Sequence, residues 1–247
     1  MTASSLTTKT IALVDETVAL RRCALYYNEF RGTAISYPAA LLRYNAVANW
    51  IRRHRVAVDV TTADELDRAA SAGVDPLRIV VHRRDGDAAA VRRAADAGVG
   101  TFVISSIQQI AIPAGDAERI HRVLIDVTAQ SADALASQML THKRLRLTGL
   151  QCRLDDPDDP IGAVKLRRLI AAMARIRSEQ GVVLSRVSLT DLDFGPWCRE
   201  LRVLRRIGEA MGEVIGEACA HHRFPRPALT VAPGRAALLP ATASSAV

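Results

Sequence analysis

The residues of this chain that could do chemistry are polar side chains at the ends of short apolar runs. They are Asp59, His82, Ser105, Ser106, Asp126, Cys152, Arg153, Asp155, Asp156, Asp191, Asp193 and Arg235. In Asp191-Leu192-Asp193 an extended backbone would turn both carboxylates to one side, the arrangement used for acid–base work. One such pair without a partner motif says little on its own. His82 precedes Arg83-Arg84-Asp85-Gly86, so it reads as a turn residue or as a group that changes charge near neutrality. Asp59 reads as a helix cap or as a site acid, with Thr62 the better placed cap. Arg153 could grip a carboxylate or phosphate through its fork of donors. The acidic stretch Asp155-Asp-Pro-Asp-Asp159 offers oxygen ligands to a hard cation. It lacks the spacing of a calcium loop, however, and its prolines mark a surface turn, so no metal site is expected. Cys152 has no histidine nearby in the chain and no nucleophile motif around it.

Those positions gain meaning from the elements that carry them. Strand patterns cover Ala34–Tyr37, Val56–Val60, Arg78–His82, Gly100–Ser105, Arg122–Val127, Arg146–Leu154, Val183–Asp191 and Ala228–Val231. Helical patterns lie between them. Leu41–His54 would bring Leu42, Ala46, Asn49 and Trp50 together. Ala63–Gly73 follows Thr62, carries Asp64 and Glu65 in its first turn, and stops at a glycine. Ala88–Ala97 stops at Gly98, and Ala163–Gln180 and Arg199–His222 are the long helices. Strands alternating with helices predict a parallel, right-handed α/β architecture, and their number fits a single-domain (β/α)8 TIM-type barrel. A doubly wound sheet is the alternative, but no GxGxxG follows the first strand. The expected organisation is a flexible N-terminus at 1–10, a barrel over 11–236 and a flexible tail at 237–247. In such a barrel the site forms at the C-terminal ends of the strands, where the polar residues above fall.

Composition narrows the classes. The chain has 247 residues, 49% of them apolar and 24% charged, ordinary for a globular domain. No apolar run reaches membrane-spanning length, and Ile11–Val14 is cut short by Asp15 and Glu16, so a cytoplasmic protein without a membrane role is expected. Cys23, Cys152, Cys198 and Cys219 lie far apart and suggest reduced, buried thiols. The net charge of +7 raises the question of nucleic acid. The arginines come as scattered pairs, such as Arg52-Arg53 and Arg92-Arg93, on the polar faces of helices. Aromatic residues are only 4% and do not interleave with them, so no nucleic-acid partner is expected.

Several phrases resemble the barrel domain of pyridoxal-phosphate (PLP) amino-acid decarboxylases, diaminopimelate decarboxylase above all, and its alanine racemase-like N-terminal fold. They are Ala34-Ile-Ser-Tyr-Pro-Ala-Ala-Leu-Leu42, Val58-Asp-Val-Thr-Thr-Ala-Asp-Glu-Leu66, Ala70-Ser-Ala-Gly-Val-Asp-Pro-Leu-Arg-Ile79, Ala97-Gly-Val-Gly-Thr-Phe-Val-Ile-Ser105, Leu145-Arg-Leu-Thr-Gly-Leu150 and Val231-Ala-Pro-Gly-Arg235. Leu13–Cys23 is similar to the family's lead-in strand and helix, and the resemblance spans about residues 11 to 236.

The resemblance implies a Schiff-base lysine at the end of the first strand, where this chain has Ala40. The family's His-x-His-x-Gly-Ser motif falls on Gln151–Asp156, which puts Arg153 at the ring-stacking histidine and Asp156 at the serine near the phosphate. Its glycine-rich phosphate loop falls on Thr190, Asp191 and Leu192, and the glutamate partner of the pyridine nitrogen on Ala232. Asp59, Gly234 and Arg235 match. A methyl group forms no imine, and two aspartates near a phosphate cradle repel phosphate. PLP, and indeed any cofactor, is therefore not expected to bind.

The family also continues into a β-sandwich domain, and this sequence ends about where that domain would begin. Apolar barrel surface is then expected to be uncovered and to favour a protein partner or self-association. The leading expectation is a pseudoenzyme barrel that acts by binding a partner protein or a small anionic ligand, within amino-acid metabolism. Paralogues in ornithine decarboxylase regulation, which keep the fold and work through protein contacts, offer an analogy. The alternatives are a repurposed enzyme using Asp59, His82, Arg153, Asp191, Asp193 and Arg235 on a small anionic or amino-acid substrate, and a residual PLP binder.

Overall fold

The structure, a computed structural model, describes residues 15–82, 88–110, 119–127, 132–154, 159, 161–192 and 201–234. Eight strands close into a parallel barrel in sequence order. They are β1 (Ala34–Pro38), β2 (Ala57–Val60), β3 (Ile79–His82), β4 (Thr101–Ile104), β5 (His121–Asp126), β6 (Leu145–Arg153), β7 (Arg186–Thr190) and β8 (Ala228–Val231), with β8 pairing back onto β1. Seven α-helices are described around it: α1 (Glu16–Glu29), α2 (Asn45–His54), α3 (Ala63–Ser71), α4 (Ala88–Asp96), α5 (Ala132–Leu140), α6 (Ala163–Gln180) and α7 (Leu201–His221). The (β/α)8 barrel expected from the alternation is the observed fold.

Alternation along each strand sorts the side chains. Ile35 and Tyr37, Val58 and Val60, Phe102 and Ile104, Val123 and Ile125, and Val187 and Leu189 face outward and are buried against the helices. Full burial of such a side chain contributes roughly 2 kcal/mol, so the core is a ring between strands and helices. The inward positions are more polar: Ser36, Gln151 and Ser188 are buried inside the barrel with Val103 and Leu124. Between β5 and β6 the register shifts after Val123, and the Thr148 hydroxyl donates to the Val123 carbonyl at 3.0 Å. Gly149 follows, where a Cβ would lie 2.0 Å from the Arg186 carbonyl oxygen, so β6 and β7 approach this closely only with glycine there.

The caps follow local chemistry. The Thr62 side chain accepts from the Glu65 N–H, and Glu65 reaches back to the Thr61 N–H and hydroxyl. Gly73, Gly98 and Gly181 end α3, α4 and α6 at φ of +71°, +73° and +71°. The expected helix over Leu41–His54 is two elements. Ala39–Arg43 is a 3-10 turn, Tyr44 is extended, and α2 begins at Asn45. Val47, Ala48 and Ile51 are therefore the buried face of α2, whereas Asn49 is exposed and Leu42 belongs to the preceding turn. Segments 1–10 and 237–247 lie outside the described residues. Among the described residues no helix is long and apolar enough to cross a membrane.

Candidate functional site

At the C-terminal half of the barrel the inward positions of β2, β3 and β6 meet. Asp59 pairs in register with Val80, so His82, two residues further along β3, stands on the same inner face. Its Nε2 lies 2.9 Å from Asp59 Oδ1, with the two side chains 20% and 14% exposed. Gln151 of β6 brings its amide nitrogen to 3.4 Å from His82 Nδ1. Burial drives the His82 pKa down, but the Asp59 carboxylate opposes this by charge and hydrogen bond, and Asp126 and Asp191 add to it, so the net shift is upward from 6.5. His82 is thus the last residue of β3, on the inner face of the barrel, rather than a turn residue.

The Gln151 side chain suits either charge state of that ring. With His82 neutral and Nε2–H donating to Asp59, Nδ1 accepts from the Gln151 amide. With His82 protonated, Nδ1–H becomes a donor, and turning the amide over presents Oε1, a buried atom without a hydrogen-bond partner among the described residues. The trio can therefore hold a proton on His82 and keep its hydrogen bonds in both states.

A second pair closes the rim. Arg153 ends β6 opposite Thr190 of β7, and its Nε donates to Asp191 Oδ2 at 2.8 Å. Both side chains are about half exposed, at 55% and 54%. Asp191 has φ of +56°, a left-handed backbone that glycine adopts freely and aspartate tolerates. Gly234 packs beside it, where a Cβ would stand 2.9 Å from Asp191 Oδ1. Leu192 and Ala232 are buried behind this rim, joined by the Leu192 N–H and the Ala232 carbonyl at 3.4 Å. Lys165, in the first turn of α6, donates to the Arg153 carbonyl at 2.8 Å. Ala40 lies in the 3-10 turn after β1, and Arg43 Nε donates to its carbonyl.

The remaining candidates are spread more widely. Ser105 donates its backbone N–H to the buried Gln109 at 2.8 Å, and Ser106 precedes the 3-10 turn Ile107–Gln109. Cys152 faces outward into the hydrophobic ring, so it does not reach the barrel interior. Asp159, the described residue of the acidic stretch, accepts from the N–H groups of Ala163 and Val164 and so caps α6. Asp155, Asp156, Asp193, Cys198 and Arg235 lie outside the described residues. Among the described residues no three His, Cys, Asp or Glu side chains are grouped to hold a metal. Gln151, Ser36 and Gln109 are the polar residues that sequence reasoning passed over. For Gln151 and Ser36 the signal was available, because an amide or hydroxyl in an apolar strand at inward parity needs a partner, whereas Gln109 lies in a 3-10 turn without such parity.

Known proteins of the same fold carry this architecture. Residues 17–152 match the model of the pyridoxal-dependent decarboxylase family, pyridoxal binding domain. Diaminopimelate decarboxylase of Mycobacterium tuberculosis is 24% identical over 267 residues, covering 93% of this chain and 60% of the relative. The Mycobacterium leprae enzyme of the same name is 24% identical and is covered to 57%. This chain therefore spans about 60% of the length of the curated relatives it matches. Among solved structures, diaminopimelate decarboxylase of M. jannaschii superposes with a TM-score of 0.76 at 15% identity, over 91% of this chain and 60% of that one. Lysine decarboxylase of Selenomonas ruminantium superposes with a TM-score of 0.72 at 18% identity, over 94% of this chain and 63% of that one. With the closed barrel and the match running from α1 to the end of β6, the chain belongs to the pyridoxal-dependent decarboxylase family.

Proposed function

We propose that this chain is a decarboxylase-like barrel that works by binding a protein partner or a small anionic ligand, without PLP. The observation that carries the reading is the Arg153–Asp191 ion pair across the ends of β6 and β7. By resemblance, Arg153 stands where relatives stack a histidine on the pyridine ring, and Asp191 where glycines cradle the phosphate. A guanidinium tied to a carboxylate offers neither a stacking imidazole nor free backbone donors to that group. Ala40 supplies no amine for an imine, and Ala232 no carboxylate for the ring nitrogen. The residues present therefore do not fit PLP, and no step of a reaction is derived through it. The left-handed backbone at Asp191 supports the same reading, since a glycine-like turn persists there with an anionic side chain added.

The test is an absorbance titration with PLP of the wild-type chain, Ala40→Lys and Lys165→Ala. Lys165 is included because it is the lysine described beside this rim. No saturable long-wavelength imine band is expected in any of the three. A band in the wild type that vanishes in Lys165→Ala would overturn the reading, because a lysine at this mouth would then hold the cofactor.

A second reading, a repurposed barrel enzyme, is favoured by the His82–Asp59 pair. A partly buried imidazole with a raised pKa can serve as a general acid or base. Its substrate would be a small anion or an amino acid. Stabilisation by any member of a thermal-shift screen of amino acids, polyamines, phosphates and divalent metals would support it. No shift across the whole screen would remove it.

A further inference from the structure

The opposite, N-terminal mouth of the barrel opens into a cavity of about 530 Å³. Three of the arginines lining it, Arg78, Arg122 and Arg186, stand at the starts of β3, β5 and β7. Alternate strands are the sources of one interior layer in such a barrel, a place ordinarily filled by branched apolar side chains. Here the neighbouring inward residues include Ala34 and Ala57, too small to fill the layer, and the space stays open.

Charge is unbalanced in this mouth. The acids that line the cavity are Asp59 and Asp75. Asp59 is engaged by His82 at 2.9 Å, and Asp75 by Arg55 at 3.7 Å and by the Leu77 N–H at 3.0 Å. Among the described residues Arg78, Arg122 and Arg186 have no acidic partner. Deeper in the same cavity Ser36 is only 2% exposed, and its hydroxyl has no hydrogen-bond partner among the described residues. Ser188, 6% exposed, lines the wall beyond it. Three cations held together and a buried hydroxyl left over are both satisfied by an oxygen-rich anion.

We propose that the N-terminal mouth binds a small organic phosphate, with the phosphate held by Arg78, Arg122 and Arg186 and the organic part directed towards Ser36 and Ser188. Arginine forks match the oxygens of a phosphate dianion. A volume near 530 Å³ exceeds what inorganic phosphate needs and lies in the range of small-molecule sites. The cavity opens at the end of the barrel opposite the Arg153–Asp191 rim, shares Asp59 of the His82 pair as part of its wall, and does not rest on the reading given for that rim.

Ribose 5-phosphate, inorganic phosphate and citrate serve as calorimetric probes at matched ionic strength; none carries the pyridine ring of PLP. Ribose 5-phosphate is expected to bind saturably and more tightly than the other two. Arg122→Gln and Arg186→Gln are each expected to weaken it by about tenfold, and Arg168→Gln, exposed on α6 and outside the cavity lining, to leave it unchanged. Without ligand, Arg122→Gln is expected to keep or raise the thermal midpoint, because repulsion among the arginines is relieved. Absence of saturable binding, unchanged binding in the Arg122→Gln/Arg186→Gln double variant, or tighter binding of citrate would overturn the proposal. So would a lowered midpoint of Arg122→Gln without ligand, which would make that arginine a structural element.

Discussion

Asp59→Asn tests the polar centre of the barrel with the least change in shape. The wild-type contact joins a carboxylate to an imidazole at 2.9 Å, with side chains only 14% and 20% exposed. A hydrogen bond to a charged group contributes about 2 kcal/mol net in such surroundings, more than the 0–1 kcal/mol or so typical of exposed pairs. Its pH dependence follows from the direction of the His82 shift. The folded ring binds its proton more tightly than an unfolded histidine, whose pKa is 6.5. The extra stability is thus fully present below that value and is lost as pH rises through the raised folded pKa. Urea unfolding at about pH 5.5 should show the variant less stable by about 2 kcal/mol. At about pH 9 the gap should shrink to what a neutral hydrogen bond provides, about 1 kcal/mol or less. NMR titration should place His82 above 6.5 in the wild type and lower in the variant, where burial acts without its main counterweight. A wild-type His82 that titrates at or below 6.5, or a gap of equal size at both pH values, would refute the reasoning.

Three further substitutions and one label probe the frame. Gly149→Ala puts a Cβ 2.0 Å from the Arg186 carbonyl and must part β6 from β7, so the urea midpoint should fall by the equivalent of about 3 kcal/mol. Gly181→Ala, with nothing within 4 Å but φ of +71°, should lose only about 1 kcal/mol in the same assay. Tyr37→Phe removes a buried hydroxyl that donates to the Cys23 carbonyl at 2.6 Å and should lower unfolding stability by about 1–2 kcal/mol. The Cys23 thiol, pushed up to about 12 by burial, should resist maleimide in the folded protein near neutrality and react once urea unfolds it. Mass spectrometry of the labelled peptide reads the difference.

The barrel was readable because its signals are local. Alternating aliphatics mark outward strand faces, and Thr62, Gly73, Gly98 and Gly181 mark helix ends through their own backbone requirements. Ala39–Arg43 was not readable as a 3-10 turn, since Ala-Ala-Leu-Leu suits an α-helix equally well and the break comes from the extended Tyr44. Ala132–Leu140 gave no helical signal in the sequence because its small and apolar residues show little contrast between faces. Asp59 and His82 were both visible as candidates, but their pairing depends on the β2–β3 register, which sets residues 23 apart side by side. The arginines were the larger surprise. Scattered pairs suggested solvated helix faces, and although Arg78 and Arg122 already opened strand patterns, their meeting with Arg186 around one cavity follows only from closure of the sheet.

The division between strand faces explains how the fold tolerates exchanges inside the barrel. Outward residues such as Tyr37, Val58, Phe102, Val123 and Leu189 pack on helices and carry most of the burial. Replacing them would leave cavities worth several kcal/mol, roughly 2–5 for a large side chain. Inward residues such as Ser36, Asp59, His82, Gln151 and Ser188 contact one another across the lumen or line a cavity, so exchanges there change charge and hydrogen bonding more than packing. The two faces can therefore change independently: membership of the family is written on the outward face, while ligand choice is written on the inward one. On the function proposed above, Ala40→Lys alone is expected to leave the chain without PLP binding, because the Arg153–Asp191 pair still occupies the rim.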